Sequence, residues 1–185
     1  NPANIQFWKP KVNTWAFGIG ATLGTMGTSF IFNLKGVVLL ELPGPRLLLI
    51  VTAKLLPAIP PPKRTADGLL LAVFEGSGYL MLSGNGIPAH GGLPAVTGFA
   101  IATGLHVSIV WGSTSIGLYL KVSAGFDAVV GTDPFRLAGI LYIRGNLHLF
   151  IIDIGAYAQL KVDIGEDAQR NKICRIEGEI CGKID

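Results

Sequence analysis

Three histidines, His90, His106 and His148, are the side chains of this chain best suited to proton transfer or metal binding. A metal site needs three or four convergent ligands. His90 stands in a Gly/Pro-rich stretch, and the other two stand about forty residues apart on segments with a strand pattern. No metal site is therefore expected. Cys174 and Cys181 form no CxxC pair. On one extended strand they would lie about 23 Å apart on opposite faces, beyond the reach of a disulfide. Only a turn at Glu177-Gly178 would change that, so two free thiols are expected. Ser77, in Gly76-Ser77-Gly78, lacks the G-x-S-x-G frame of a nucleophile elbow, as does Ser113-Thr114-Ser115. The glycine-rich stretches lack the Lys-Ser/Thr of a phosphate loop, and none lies between a strand and a helix. Asp127, Asp133, Asp153 and Asp163 fall on different segments, with no spacing that pairs them. The expectation is a non-enzymatic protein with no catalytic residue, no cofactor and no metal.

The elements that carry these residues have period two. From Gly76 to Leu120 there is no Asp, Glu, Lys or Arg, and ten glycines with Pro88 and Pro94 interrupt the run. That is a strand signal; a membrane helix would not tolerate so many breakers. Phe99, Leu105, Val107, Ile109 and Trp111 alternate with Ala100, Ala102, Gly104, His106 and Ser108. Leu118, Leu120 and Phe126 continue the same pattern after a turn near Gly112–Thr114. These eight apolar residues are the candidate packing or hydrophobic-ligand face, expected to be largely buried together. Leu137–Ile151 and Ala156–Ile164 repeat the alternation. Gly117–Lys121, Leu141–Arg144 and Ala156–Lys161 each set a tyrosine and a basic residue opposite the aliphatics.

Earlier in the chain, Trp15–Leu23 and Phe30–Leu34 alternate around the turn Gly24–Gly27. Val37–Leu42 and Leu47–Leu56 flank Pro43-Gly44-Pro45, and Leu69–Phe74 and Tyr79–Ser83 read as two further short strands. A helix over Val12–Leu34 is the weaker alternative, because Gly18, Gly20, Gly24 and Gly27 oppose it. Residues 57–68 form a proline-rich loop. Patterned segments joined by short turns predict an all-β fold, a long-stranded antiparallel meander forming a curved sheet, sandwich or barrel-like module.

The 185 residues suffice for one core, so residues 1–185 read as a single module. Half are hydrophobic and only 15% charged, against about 25% in an average soluble domain. Mean hydropathy is +0.51. Such a chain needs cover from protein, lipid or ligand. The net charge of +3 is not gathered in one patch, which argues against nucleic acid. Eleven charges fall from Lys161 to Asp185, while Val12–Leu34 holds none. The chain opens on Asn1 without a signal-peptide pattern and ends in a strand pattern, and is expected to be a piece of a longer polypeptide; its compartment is not legible.

Several segments together resemble a known family: Phe74-Glu-Gly-Ser-Gly-Tyr79, Thr103-Gly-Leu-His106 through Gly117, Ala124-Gly-Phe-Asp127, Asp133-Pro-Phe-Arg136 and Gly178-Glu-Ile-Cys181-Gly. The family comprises very large, mainly bacterial proteins sharing a domain of unknown function. The likeness runs mainly from Phe74 onward. It implies a module within a much longer chain, with additional sequence before Phe74, and it transfers no site residue. The expected function is a structural or assembly β-module. Its partners would be other segments of the same polypeptide or copies of itself. The alternative is a carrier whose apolar groove or barrel binds lipid or another hydrophobic ligand. A membrane β-barrel comes third, because no paired aromatic girdles are evident in the sequence.

Overall fold

The computed structural model describes residues 12–26, 30–57, 73–113, 117–167 and 169–185. Nine strands fill most of them: β1 (Trp15–Met26), β2 (Phe30–Leu42), β3 (Arg46–Pro57), β4 (Val73–Ser83), β5 (Ala100–Ser113), β6 (Leu118–Thr132), β7 (Phe135–Leu149), β8 (Ile152–Glu166) and β9 (Lys172–Ile184). They form one antiparallel meander in the order β1 to β9, and the sheet does not close into a barrel. The all-β, long-stranded expectation holds. Phe30–Leu34 and Val37–Leu42 prove to be one strand running through Gly36. Tyr79–Ser83 likewise belongs to a strand that begins at Val73 and continues through Gly76 and Gly78. Leu69–Ala72 and most of the proline-rich loop, residues 58–68, lie outside the described residues. No helix occurs among the described residues, so Val12–Leu34 supplies β1 and β2 instead.

Every adjacent pair of strands keeps one register from end to end, with no bulge. Directly opposed residues share a face, so the period-two pattern of each strand is inherited by the whole sheet. One face collects Phe17, Leu40, Leu47, Leu82, Ile101, Val130, Leu137 and Ile164 in a single cross-strand row. The opposite face begins with the row Leu48, Met81, Ala102, Val129 and Ala138. Farther along the strands it becomes polar, through Thr52, Ser77, His106 and Tyr142.

The buried core lies on this second face. Residues 84–99, between β4 and β5, fold back over it, held by the bridges Ile87↔Val96 and His90↔Leu93. Ile87, Leu93 and Val96 press onto Leu48, Met81, Ala100, Ala102, Val129, Ala138 and Ile140. Small residues on the strands leave room for the loop, and Ile87 is only 1% exposed.

The expected burial of the apolar face is corrected. Leu105, Val107, Ile109 and Trp111 do share one face with Leu118, Leu120 and Phe126, because β5 and β6 pair Leu105 with Phe126 and Trp111 with Leu120. Nothing among the described residues covers that face. Phe99 is 52% exposed and Leu105 49%, and Leu118, Leu120 and Phe126 are also exposed. Val107, Ile109 and Trp111 are half-buried by their neighbours within the sheet. The reason is the single layer: the chain's one described covering segment lies on the side where alanines make room.

Candidate functional site

Two surfaces invite a functional reading, the polar face with its histidines and the open apolar face. On the polar face, four strands contribute to one hydrogen-bonded chain. Tyr79 on β4 donates its hydroxyl to Asp127 Oδ1 on β6 at 3.0 Å. His106 Nε2 on β5 lies 3.0 Å from the same oxygen, and His106 Nδ1 lies 2.9 Å from the Tyr142 hydroxyl on β7. The pattern is satisfied when Nε2–H donates to the carboxylate and Nδ1 accepts from Tyr142. His90 Nε2, on the covering loop, stands 3.4 Å from the Tyr79 hydroxyl.

Two glycines permit this arrangement. Tyr79 reaches Asp127 across Gly104, its register partner on β5. His106 reaches Tyr142 across Gly125 on β6. A Cβ at Gly104 would come within 2.5 Å of Tyr79 Cε1, and one at Gly125 within 2.6 Å of His106 Nδ1. Each glycine thus gives up its own side-chain space to a bond between the flanking strands.

Burial and the Asp127 charge push the Tyr79 hydroxyl well above its ordinary range, burial contributing most. Burial also raises Tyr142, with Asp127 adding to it. Both tyrosines are thereby held as neutral donors rather than activated phenolates. Ser77 stands directly opposite His106, but both imidazole nitrogens already have partners in Asp127 and Tyr142. His106 therefore has no free nitrogen to serve Ser77 as a base. Alongside runs an open trough of about 450 Å3, lined by Thr52, Lys54, Glu75, Ser77, Ser108 and Ser123 together with His106 and Tyr142. Lys54 and Glu75 pair across it at 2.8 Å.

The sequence placed these histidines on separate elements and foresaw no meeting with carboxylates. The structure brings His106 to Asp127, and His148 to Asp153 across the β7–β8 turn, where His148 also stacks on Tyr119 with ring centroids 5.1 Å apart. Among the described residues no group of His, Cys, Asp and Glu converges as metal ligands. Cys174 and Cys181 are free and exposed, because β9 runs straight through Glu177-Gly178. The sequence pattern does not pair Tyr79, Asp127 or Tyr142 with His106. The signal lay in the glycines opposite them, visible only once the strands are in register. Elsewhere on this face Arg136 grips Asp163 with two bonds, at 2.9 and 2.8 Å. The guanidinium holds the Asp163 carboxyl below its usual range.

The apolar face is the larger surface. No Asp, Glu, Lys, Arg or His occupies its positions from β1 to β7. On β8 and β9 only Glu166 and Lys172 do, paired with each other at one corner. Its aromatic residues gather toward the strand ends. Trp15, Phe17 and Phe135 stand at one end and Phe32, Phe74 and Trp111 at the other, with Phe126 between. Comparison with known proteins finds no matching family model, no similar curated protein and no similar solved structure.

Proposed function

We propose that this chain is a non-enzymatic β-module whose apolar face lies against the hydrocarbon chains of lipid, as a carrier surface within a longer polypeptide. One observation carries the reading: the face is free of ionisable groups across nearly its whole extent while remaining uncovered. Nine strands at about 4.8 Å spacing, the shortest of 11 residues, give a sheet on the order of 1,500 Å2 in projection. The largest apolar patch of an ordinary monomer is roughly 300–600 Å2.

The chemistry of the face favours lipid over protein as the cover. Even homodimer interfaces are only about 65% apolar, and interfaces carry about one hydrogen bond per 100–200 Å2. Among the described side chains of β1 to β7, only Thr25, Thr103 and Thr132 bring a hydroxyl to this face, and the Thr132 hydroxyl is already committed to the Phe99 carbonyl. A protein partner would find almost nothing to bond; an acyl chain asks for nothing. On the other face, the saturated His106 network supports a structural rather than a catalytic role for the polar cluster.

The test is lipid uptake. The protein is incubated with phosphatidylcholine vesicles carrying a fluorescent lipid and separated by gel filtration. Lipid should travel with the protein, and a Leu105→Glu/Leu141→Glu/Ile143→Glu variant should lose most of it while keeping its strand spectrum. Absence of bound lipid from the unaltered chain would return the scaffold reading, with the face covered by protein. Protein remaining in the vesicles without extracting lipid would indicate a bilayer wall in place of a carrier.

A further inference from the structure

Among the described residues the open sheet has two free edges, β1 and β9, and they are guarded very differently. An unpaired edge is a template for another strand, and proteins ordinarily blunt it with charge, proline or a bulge. β9 carries Lys172, Arg175, Glu177, Glu179 and Lys183. β1 carries no charged residue and no proline, and pairs with β2 in twelve consecutive positions without a bulge. Its apolar side chains are open: Trp15 is 71% exposed, Ile19 75% and Leu23 66%.

We propose that the outer edge of β1 pairs antiparallel with β1 of a second copy of this chain. A twofold axis perpendicular to the sheet achieves this while keeping both apolar faces on the same side, and twofold dimers are the commonest closed assembly. With the axis at Ile19, that residue opposes its own copy, Trp15 opposes Leu23 and Phe17 opposes the small Ala21, all on the apolar face. The other face brings Gly18 against Gly20, with no side chain to obstruct the approach. The competing arrangement joins β1 to β9 of another copy. Eight antiparallel steps separate β1 from β9, so the two point the same way, and that junction would be a parallel pair. Parallel pairing is slightly weaker, head-to-tail contacts need not close, and the charges of β9 would face the junction. Pairing through β1 leaves only the charged β9 edges free and makes the apolar face continuous between copies. It stands whether that face meets lipid or protein.

Light scattering coupled to gel filtration, in mild detergent to cover the apolar face, should give a protein mass twice the 19.5 kDa of the chain. Ile19→Lys, which sets like charges near the axis, should halve that mass, whereas Ile180→Lys on β9 should not change it. Because Ile19→Lys also places a charge beside β2, a second measurement guards against misfolding. Phe17→Cys, Ile19→Cys and Ala21→Cys are each made in a Cys174→Ser/Cys181→Ser background and oxidised. At least one should form a disulfide with itself. A monomeric unaltered chain, a dimer broken by Ile180→Lys rather than Ile19→Lys, or no self-linked cysteine in β1 would overturn the proposal.

Discussion

Asp127 Oδ1 accepts two bonds at once, from the Tyr79 hydroxyl and from His106 Nε2–H. Replacing it with Ala strands both donors in a half-buried setting, where an unmade bond costs about 1–3 kcal/mol. Urea unfolding of Asp127→Ala should show a loss in that range, and Tyr142→Phe, which removes one bond at the end of the chain, a smaller one. Gly125→Val should destabilise by a comparable amount, because the new side chain occupies the space through which His106 meets Tyr142. An unchanged midpoint for Gly125→Val would refute the network. The Arg136–Asp163 pair yields a pH prediction. The Asp163 carboxyl is held below its ordinary value of about 4 by bonds that exist only in the folded chain. Its contribution is therefore complete above that ordinary value and is lost as pH falls through the lowered one. Asp163→Asn should flatten the acid limb of stability against pH, with little additional effect of pH near neutrality.

At the scale of elements, the segment 84–99 is what gives the sheet a core. Ile87 is almost wholly buried, and so is Val129 in the same cluster. Ile87→Ala should cost about 2–5 kcal/mol, as for other buried aliphatic truncations. Phe126→Ala and Leu105→Ala, on the open face, should cost clearly less than a buried truncation in the lipid-free protein, since 38% and 49% of these residues is already in contact with solvent. Thermal unfolding of the three variants side by side tests which face holds the core. A greater loss for Phe126→Ala than for Ile87→Ala would reverse the assignment. The strands themselves are secured differently: each interior strand is paired on both sides along 10 to 15 positions, so loss of one side chain from the open face leaves the ladders intact.

As a whole molecule the chain is a single layer with two chemistries. The polar side is hydrated and partly roofed by its own loop; the other side is aliphatic to both edges. Most β-proteins solve this by packing two sheets together. Among the described residues here no second layer exists, so the apolar face governs solution behaviour. The protein should require detergent or lipid to stay monodisperse, and a fluorescent apolar dye should bind it strongly in their absence. Adding phosphatidylcholine should displace the dye, and the Leu105→Glu/Leu141→Glu/Ile143→Glu variant should bind much less of it from the start. Dye binding that persists undiminished in that variant would place the exposed apolar surface elsewhere.

The alternation between Trp15 and Ile164 determined that the chain is built of strands and which residues of each share a face, because period two is a local property of the chain; the full lengths of β2 and β4, which run on through Gly36, Gly76 and Gly78, emerged only from their pairing. Pro43-Gly44-Pro45 and Thr132-Asp133-Pro134 marked turns for the same reason. Cys174 and Cys181 could be judged unbonded from the length of an extended strand. Which face would be covered was not a local property. The sequence pointed to the aliphatic side, but covering depends on where segment 84–99 folds back, and its own Ile87, Leu93 and Val96 found room over Ala100, Ala102 and Ala138. The meeting of His106 with Asp127 and Tyr142 was equally out of reach, since it depends on the register of β5, β6 and β7. That register is decided by the summed pairing of whole strands, and only there do Gly104 and Gly125 acquire a meaning beyond composition.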